Sequence, residues 1–172
     1  SDLNLDLKKI TNSGSPEILI AGSGTGQHAI TTASKYKKSK ILALDLSFKS
    51  LSYAKRKANE LKINNIEFIQ GDILDLESID RKFDIIESVG VLHHMDNPFK
   101  GWKILTSCLN NDSLMLIGLY SEKARQHIKE IKNKINKIKL QSNYKNIIKF
   151  RKDLIEDNDN HLNYIKSSPD FY

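Results

Sequence analysis

EILIAGSGTGQHAI, Glu17–Ile30, decides how this chain is read. It joins an apolar, β-branched run to three alternate glycines and then to a segment of helical character. Glycine admits positive φ and lets a backbone approach a ligand closely. The helix N-terminus that follows such a loop offers unpaired N–H groups to an anion. Several nucleotide-like ligands suit this arrangement. The dinucleotide fingerprint needs a glycine where Gln27 stands, so a nicotinamide dehydrogenase is the least favoured of them.

Working outward, four more apolar runs read as strands: Lys40–Asp45, Ile66–Gln70, Phe83–Ser88 and Ser113–Leu119. Helical patterns separate them. Gln27–Tyr36 follows the glycines, and Ser47 is placed as N-cap to a helix carrying Leu51, Ala54, Ala58 and Leu61. Asn97 caps another, with Pro98 in its first turn and Trp102, Leu105 and Leu109 on one face. Strands alternating with helices predict right-handed βαβ units and a parallel sheet, and nearly all-apolar strands fit burial on both faces. The expected fold is α/β: a Rossmann-like, doubly wound, mostly parallel sheet of about five strands with flanking helices. Beyond the fifth strand, Ser121 to about Ile155 is mostly helical in propensity, with Ile128, Ile131, Ile135 and Ile138 spaced for one helix face that would cover the sheet edge. Glu156–Asn160 should break it before the chain ends at Pro169–Tyr172, with no sixth strand.

The bulk numbers agree with one ordinary domain: 172 residues, 39% of them apolar, enough for a core. The core is expected over 16–120 and a basic helical extension over 121–166. No run approaches the roughly 20 apolar residues that cross a bilayer, and Ser1–Leu7 is polar and acidic, unlike a signal peptide. The single cysteine, Cys108, allows no internal disulfide and fits a reducing, cytoplasmic setting; it reads as a buried helix residue rather than a reactive thiol. The net charge of +6 is uneven, with eleven Lys or Arg against two Glu between Ser121 and Lys152. That stretch reads first as a solvated helix face. The alternative is a basic surface for nucleic acid or an anionic membrane. The polar start without an initiator Met and the SPDFY ending predict a piece of a longer chain.

Two acids extend the case for a nucleoside ligand. Asp45 ends the second strand nineteen residues after Gly26, where a carboxylate can accept both ribose hydroxyls. Gly71-Asp72 follows the third strand; Asp72 could accept from an adenine amino group while Ile73 covers the ring, or the pair could be a plain turn. All three features lie at the carboxyl ends of parallel strands, where open α/β sheets bind ligands.

With ILIAGSGTGQ, ALDLS, IQGDILDL and FDIIESVGVLHHMDNP in this order and spacing, the chain resembles the class I S-adenosylmethionine-dependent methyltransferases. SVGVLHHM and GLYSEKAR are most similar to the bacterial methyltransferase domains attached to tetratricopeptide repeats. The resemblance covers roughly Pro16 to Ile128. It implies that Gly22, Ser23, Gly24, Gly26 and Gln27 surround the methionine moiety of S-adenosyl-L-methionine, whose product is S-adenosyl-L-homocysteine. It further implies that Asp45 with Leu46 holds the ribose, that Gly71, Asp72 and Ile73 bind adenine, and that Glu87, Ser88 and Val89 face the sulfonium side. There are departures. The family commonly carries an acid two residues before the first glycine, contacting cofactor or ordering the loop, where this chain has Ile20. The turn before the fifth strand is commonly Pro-Gly-Gly, where this chain has Asn110-Asn111-Asp112. The antiparallel strand pair that closes one edge of the family sheet is also lacking. A dimer partner, an adjoining domain or the basic helices would then cover that edge.

Methyl transfer from a sulfonium is an in-line displacement, for which the protein chiefly aligns the reactants. A base is needed only if the acceptor must lose a proton; His93 and Glu87 are the candidates, with His94 beside them. A metal site joining these histidines to Asp96 is not expected, since no other His or Cys pairs with them in sequence. No Asp-Pro-Pro-Tyr or Asn-Pro-Pro-Tyr follows the fourth strand, and no Pro-Cys pair, which argues against amino-methylation of a nucleic-acid base by that scheme and against the covalent cytosine route. The acceptor could be a small molecule, a peptide or a protein side chain. A cofactor-binding module without turnover and a basic nucleic-acid-binding domain are the alternative functions.

Overall fold

The structure is a computed structural model and describes residues 14–139, 141 and 143–156. The chain divides between Leu119 and Tyr120 into two compact units.

The first unit holds a five-stranded, all-parallel sheet in the order β3-β2-β1-β4-β5. The strands are β1 (Glu17–Ala21), β2 (Lys40–Asp45), β3 (Ile66–Gln70), β4 (Phe83–Val89) and β5 (Leu109–Gly118). Helix α1 (Gln27–Lys35) follows β1, α2 (Phe48–Glu60) follows β2 and α3 (Pro98–Ser107) follows β4. Short 3-10 helices, Ile73–Ser78 and Leu92–His94, follow β3 and β4. Alternate residues of the inner strands serve opposite faces, the two-residue period of a pleated strand. Ile18 and Ile20 pack with Ala29 and Ala33 of α1 and with Ile41 and Ala43. Leu19, Ala21, Leu42 and Leu44 pack on the other face with Ile86, Leu92, Ile104 and Leu105. The small side chains of α1 let its backbone lie close to the sheet.

The caps form as the sequence predicts. Ser47 Oγ accepts from Ser50 N at 3.2 Å, and Asn97 Oδ1 accepts from Lys100 N at 3.1 Å with Pro98 at the head of α3. The fifth strand differs from expectation. It begins at Leu109, not Ser113, so Leu109 belongs to β5 and not to the apolar face of α3. Asn110–Asp112 is correspondingly not a turn ahead of the strand. Register runs from Phe83↔Leu109 to Ile85↔Leu114, two residues of β4 against five of β5, so three residues loop out within the strand, and Asp112 takes φ 59°. Two bonds recruit this early segment: Phe83 N donates to Cys108 O at 2.8 Å, and Asn110 Nδ2 donates to Asp84 Oδ1 at 2.9 Å. A chain that short of Pro and rich in Asn tolerates the excursion.

The second unit contains α4 (Gln126–Lys137) and α5 (Tyr144–Glu156). Its buried centre is Leu154, packed with Ile131 and Phe150. The expected isoleucine stripe is cut short: α4 stops at Lys137, and Ile138 at its C-cap is 58% exposed. The expected break at Glu156–Asn160 falls mostly, and the Pro169–Tyr172 ending wholly, outside the described residues. Among the described residues there is no sixth strand, and no helix is long and apolar enough to cross a membrane.

Candidate functional site

The loop Gly22–Gly26 is set by its own backbone. Gly22 N and Ser23 N both donate to Leu44 O, at 2.8 and 2.9 Å, and Gly26 N returns to Ser23 O at 2.9 Å. All three glycines have positive φ: 82°, 53° and 83°. Gly22 and Gly26 are also sterically required. A Cβ on Gly22 would lie 2.3 Å from Val91 Cγ2, and one on Gly26 would lie 2.4 Å from Ala54 Cβ. The loop thus fits between the segment after β4 and helix α2.

Asp45 fastens the loop to the next helix. Its Oδ2 accepts from Gly24 N at 2.7 Å and its Oδ1 from Ser47 N at 2.8 Å. A carboxylate offers about four acceptor sites, so these bonds orient the group without exhausting it. At the tip of β3, Asp72 Oδ1 accepts from Leu74 N at 2.9 Å and heads the 3-10 helix Ile73–Ser78. Gly71 N donates to Asp45 O at 3.1 Å, which ties the two tips together.

These tips wall a cavity of about 510 Å³. It gathers six of the residues singled out from sequence: Gly22, Asp45, Leu46, Gly71, Asp72 and Ile73. A further part of the wall, Val91, His94, Met95, Asp96, Asn97 and Lys100, comes from the segment between β4 and α3; of these the sequence offered His94 beside the candidate bases, Asp96 and Asn97 only in other roles, and Val91, Met95 and Lys100 not at all. Ser23, Gly24, Gly26, Gln27, Glu87, Ser88, Val89 and His93 are not in this wall. The rings of His93 and His94 lie tilted against each other with centres 4.3 Å apart and Nε2 atoms 3.1 Å apart, and it is His94 that lines the cavity. Val89 is 52% exposed, and Ser88 is fully buried.

Glu87 takes a different direction. Its register partner is Ile20, so both lie on the α1 face of the sheet. There Glu87 Oε2 meets His28 Nε2 at 2.7 Å and accepts from Thr32 Oγ1 at 3.3 Å. Cys108 lies far from this chemistry, buried in the core beside Leu105, and burial pushes its thiol above the usual range against smaller opposing effects of Ser107 and Lys82. Among the described residues no group of three or more His, Cys, Asp or Glu comes together to hold a metal ion.

The residues fit the cofactor that the resemblance implies. Two acids at adjacent strand tips, an apolar wall of Leu46 and Ile73, and a cavity in the range of small-molecule sites match a nucleoside. Ser23 Oγ, in the glycine loop, is buried and lacks a hydrogen-bond partner among the described residues. A buried hydroxyl left unpaired costs stability unless something pairs with it, and the amino-acid end of such a ligand carries the polar atoms to do so.

Comparison with known proteins gives the same answer. A family model described as a methyltransferase domain matches residues 15–158. An uncharacterised protein of Synechococcus sp. is 32% identical over 123 residues, 71% of this chain and 30% of that protein. A probable (S)-tetrahydroprotoberberine N-methyltransferase of Papaver bracteatum is 30% identical over 113 residues, 66% of this chain and 31% of that enzyme. Among solved structures, PKMT2 from Rickettsia typhi in complex with AdoHcy superposes with TM-score 0.70 over 91% of this chain and 33% of that chain, at 22% identity. The chain therefore spans about a third of the length of each of these three proteins. From loop, strand tips and matched residues together, the chain belongs to the methyltransferase-domain family.

Proposed function

We propose that this domain binds S-adenosyl-L-methionine and transfers its methyl group to an acceptor, releasing S-adenosyl-L-homocysteine. One observation carries the reading: Gly22 of the glycine loop, Asp45 and Asp72 line one cavity at the carboxyl ends of β1, β2 and β3. Asp45 would accept from the ribose hydroxyls with Leu46 beside it, and Asp72 and Ile73 would take the adenine. The glycine loop, with Ser23 Oγ, would receive the amino-acid end. The bound cofactor supplies the activated methyl group. The chain's own contribution is to hold both partners in line and exclude water, a proximity effect. Where the acceptor must lose a proton, His94 is better placed than His93, because it faces the cavity. One of the named relatives is a probable N-methyltransferase, which makes amines the first acceptors to screen. SVGVLHHM and GLYSEKAR support a place beside tetratricopeptide repeats in a longer chain, and the half-exposed Leu116 on the edge strand β5 supports an adjoining domain or a second copy there.

Calorimetric titration with S-adenosylmethionine and, separately, with NAD tests the reading. Binding of the first alone, lost in Asp45→Ala, is expected. Binding of neither, or of NAD, would reject it.

A further inference from the structure

Glu87 is an ionisable side chain towards the carboxyl end of β4, FDIIESV, directly after Ile85 and Ile86, and no lysine or arginine is recorded in bond or ion pair with it. Its side chain is 16% exposed, and its two recorded partners are both on α1: His28 in the first turn and Thr32 one turn later. A carboxylate held in such a place is costly without compensation. Neither the cavity wall nor the packing of the sheet uses it.

Its location relative to the glycine loop gives it a use. In the strand order β3-β2-β1-β4-β5, the nucleoside residues sit at the tips of β2 and β3, and β4 lies on the far side of β1. The loop leads from the cavity wall at Gly22 to the first turn of α1, where His28 holds Glu87. A ligand with its nucleoside at Asp45 and Asp72, laid along this loop, brings its other end to that point. The other end of S-adenosylmethionine carries one cationic amine and one carboxylate. The loop and the head of α1 offer N–H donors for the carboxylate; only an anion can neutralise the amine. Ile20, directly across from Glu87 in register, is apolar, so β1 supplies no acid here.

We infer that the Glu87 carboxylate, positioned by His28 and Thr32, is the partner of the cofactor's α-ammonium group. This rests on the cofactor reading above and adds to it the residue that selects the amino-acid end. Glu87 is then a binding residue rather than a proton acceptor, and His28 is a positioning residue that fixes its rotamer.

The test is a cycle between protein and ligand. Wild type, Glu87→Gln and His28→Ala are titrated calorimetrically with S-adenosylhomocysteine, with its deaminated analogue, and with 5′-methylthioadenosine. Loss of a charge-assisted bond predicts that Glu87→Gln weakens S-adenosylhomocysteine about 10- to 100-fold and leaves the other two ligands within about twofold, as expected for additive, uncoupled contacts. His28→Ala should show the same ligand selectivity with a smaller loss, and it serves as the measurement if Glu87→Gln does not fold. Equal affinity of both variants and wild type for S-adenosylhomocysteine overturns the inference, as does a loss that is the same for all three ligands. If wild type binds none of the three, the cofactor reading itself fails, a result distinct from either.

Discussion

At the scale of single residues, the three loop glycines look equivalent in the sequence and are not so in the structure. Nothing lies within 4 Å of a Cβ built on Gly24, so alanine there meets only the left-handed backbone at φ 53°, a cost of about 1–2 kcal/mol. At Gly26 the same change adds a Cβ 2.4 Å from Ala54 Cβ, and at Gly22 one 2.3 Å from Val91. Gly24→Ala should therefore lower the urea midpoint modestly, and Gly26→Ala and Gly22→Ala more, in unfolding followed by circular dichroism. Equal midpoints for all three would mean that the loop is not clamped by its neighbours. Asp45 was legible as a candidate site residue from its place at a strand tip. That it also holds Gly24 N and Ser47 N was not, because those bonds depend on how the loop folds back. Asp45→Ala should accordingly cost folding stability as well as cofactor affinity, whereas Asp45→Asn, which keeps one acceptor oxygen, should recover part of the stability. The His28–Glu87 pair was equally hidden, since the two lie 59 residues apart in sequence.

Among the elements, β1, β2 and β3 have the bounds their sequences predict, because short apolar runs flanked by turn residues leave little choice. The caps at Ser47 and Asn97 were legible for the same local reason. Ser47→Ala should cost about 1 kcal/mol, the usual worth of an N-cap, read as a shift in thermal midpoint; no shift would mean that Asp45 alone secures the head of α2. Where pairing across strands decides, sequence fell short. β5 begins early because Phe83 and Asp84 bond to it, and Ile73–Ser78 winds into a 3-10 helix under Asp72. On α3, Leu105 is fully buried, and Cys108 at its C-cap is 4% exposed. Leu105→Ala should cost about 2–5 kcal/mol as a core truncation. Cys108 should react slowly with a thiol reagent in the folded protein and fast in denaturant, since burial disfavours the reactive thiolate. Rapid labelling under native conditions would show that α3 opens locally.

For the molecule as a whole, the two edges of the sheet are treated differently. β3 carries Glu67, joined to Arg81 at 3.0 Å, a charged edge of the kind that discourages pairing with another chain. β5 instead shows Leu116 at 50% exposure. Leu116→Lys should reduce concentration-dependent light scattering and leave S-adenosylmethionine affinity unchanged; unchanged scattering would mean that this edge drives no association. The fold was legible as a whole because alternation of strands and helices is a global pattern. The site was legible on its β1, β2 and β3 side, where motifs sit at strand tips. It was legible on the far side only as the histidine pair, and opaque at Val91, Met95 and Lys100, whose place in the wall comes only with the turn after β4.

The irregular stretch of β5 between Leu109 and Leu114 lies at the amino end of the parallel sheet, and the candidate site is at the other end. Chain length is therefore free to vary there without touching the chemistry. A fluorescent tag or a short affinity peptide spliced in at Asn111 should leave a cofactor titration the same as that of the untagged chain.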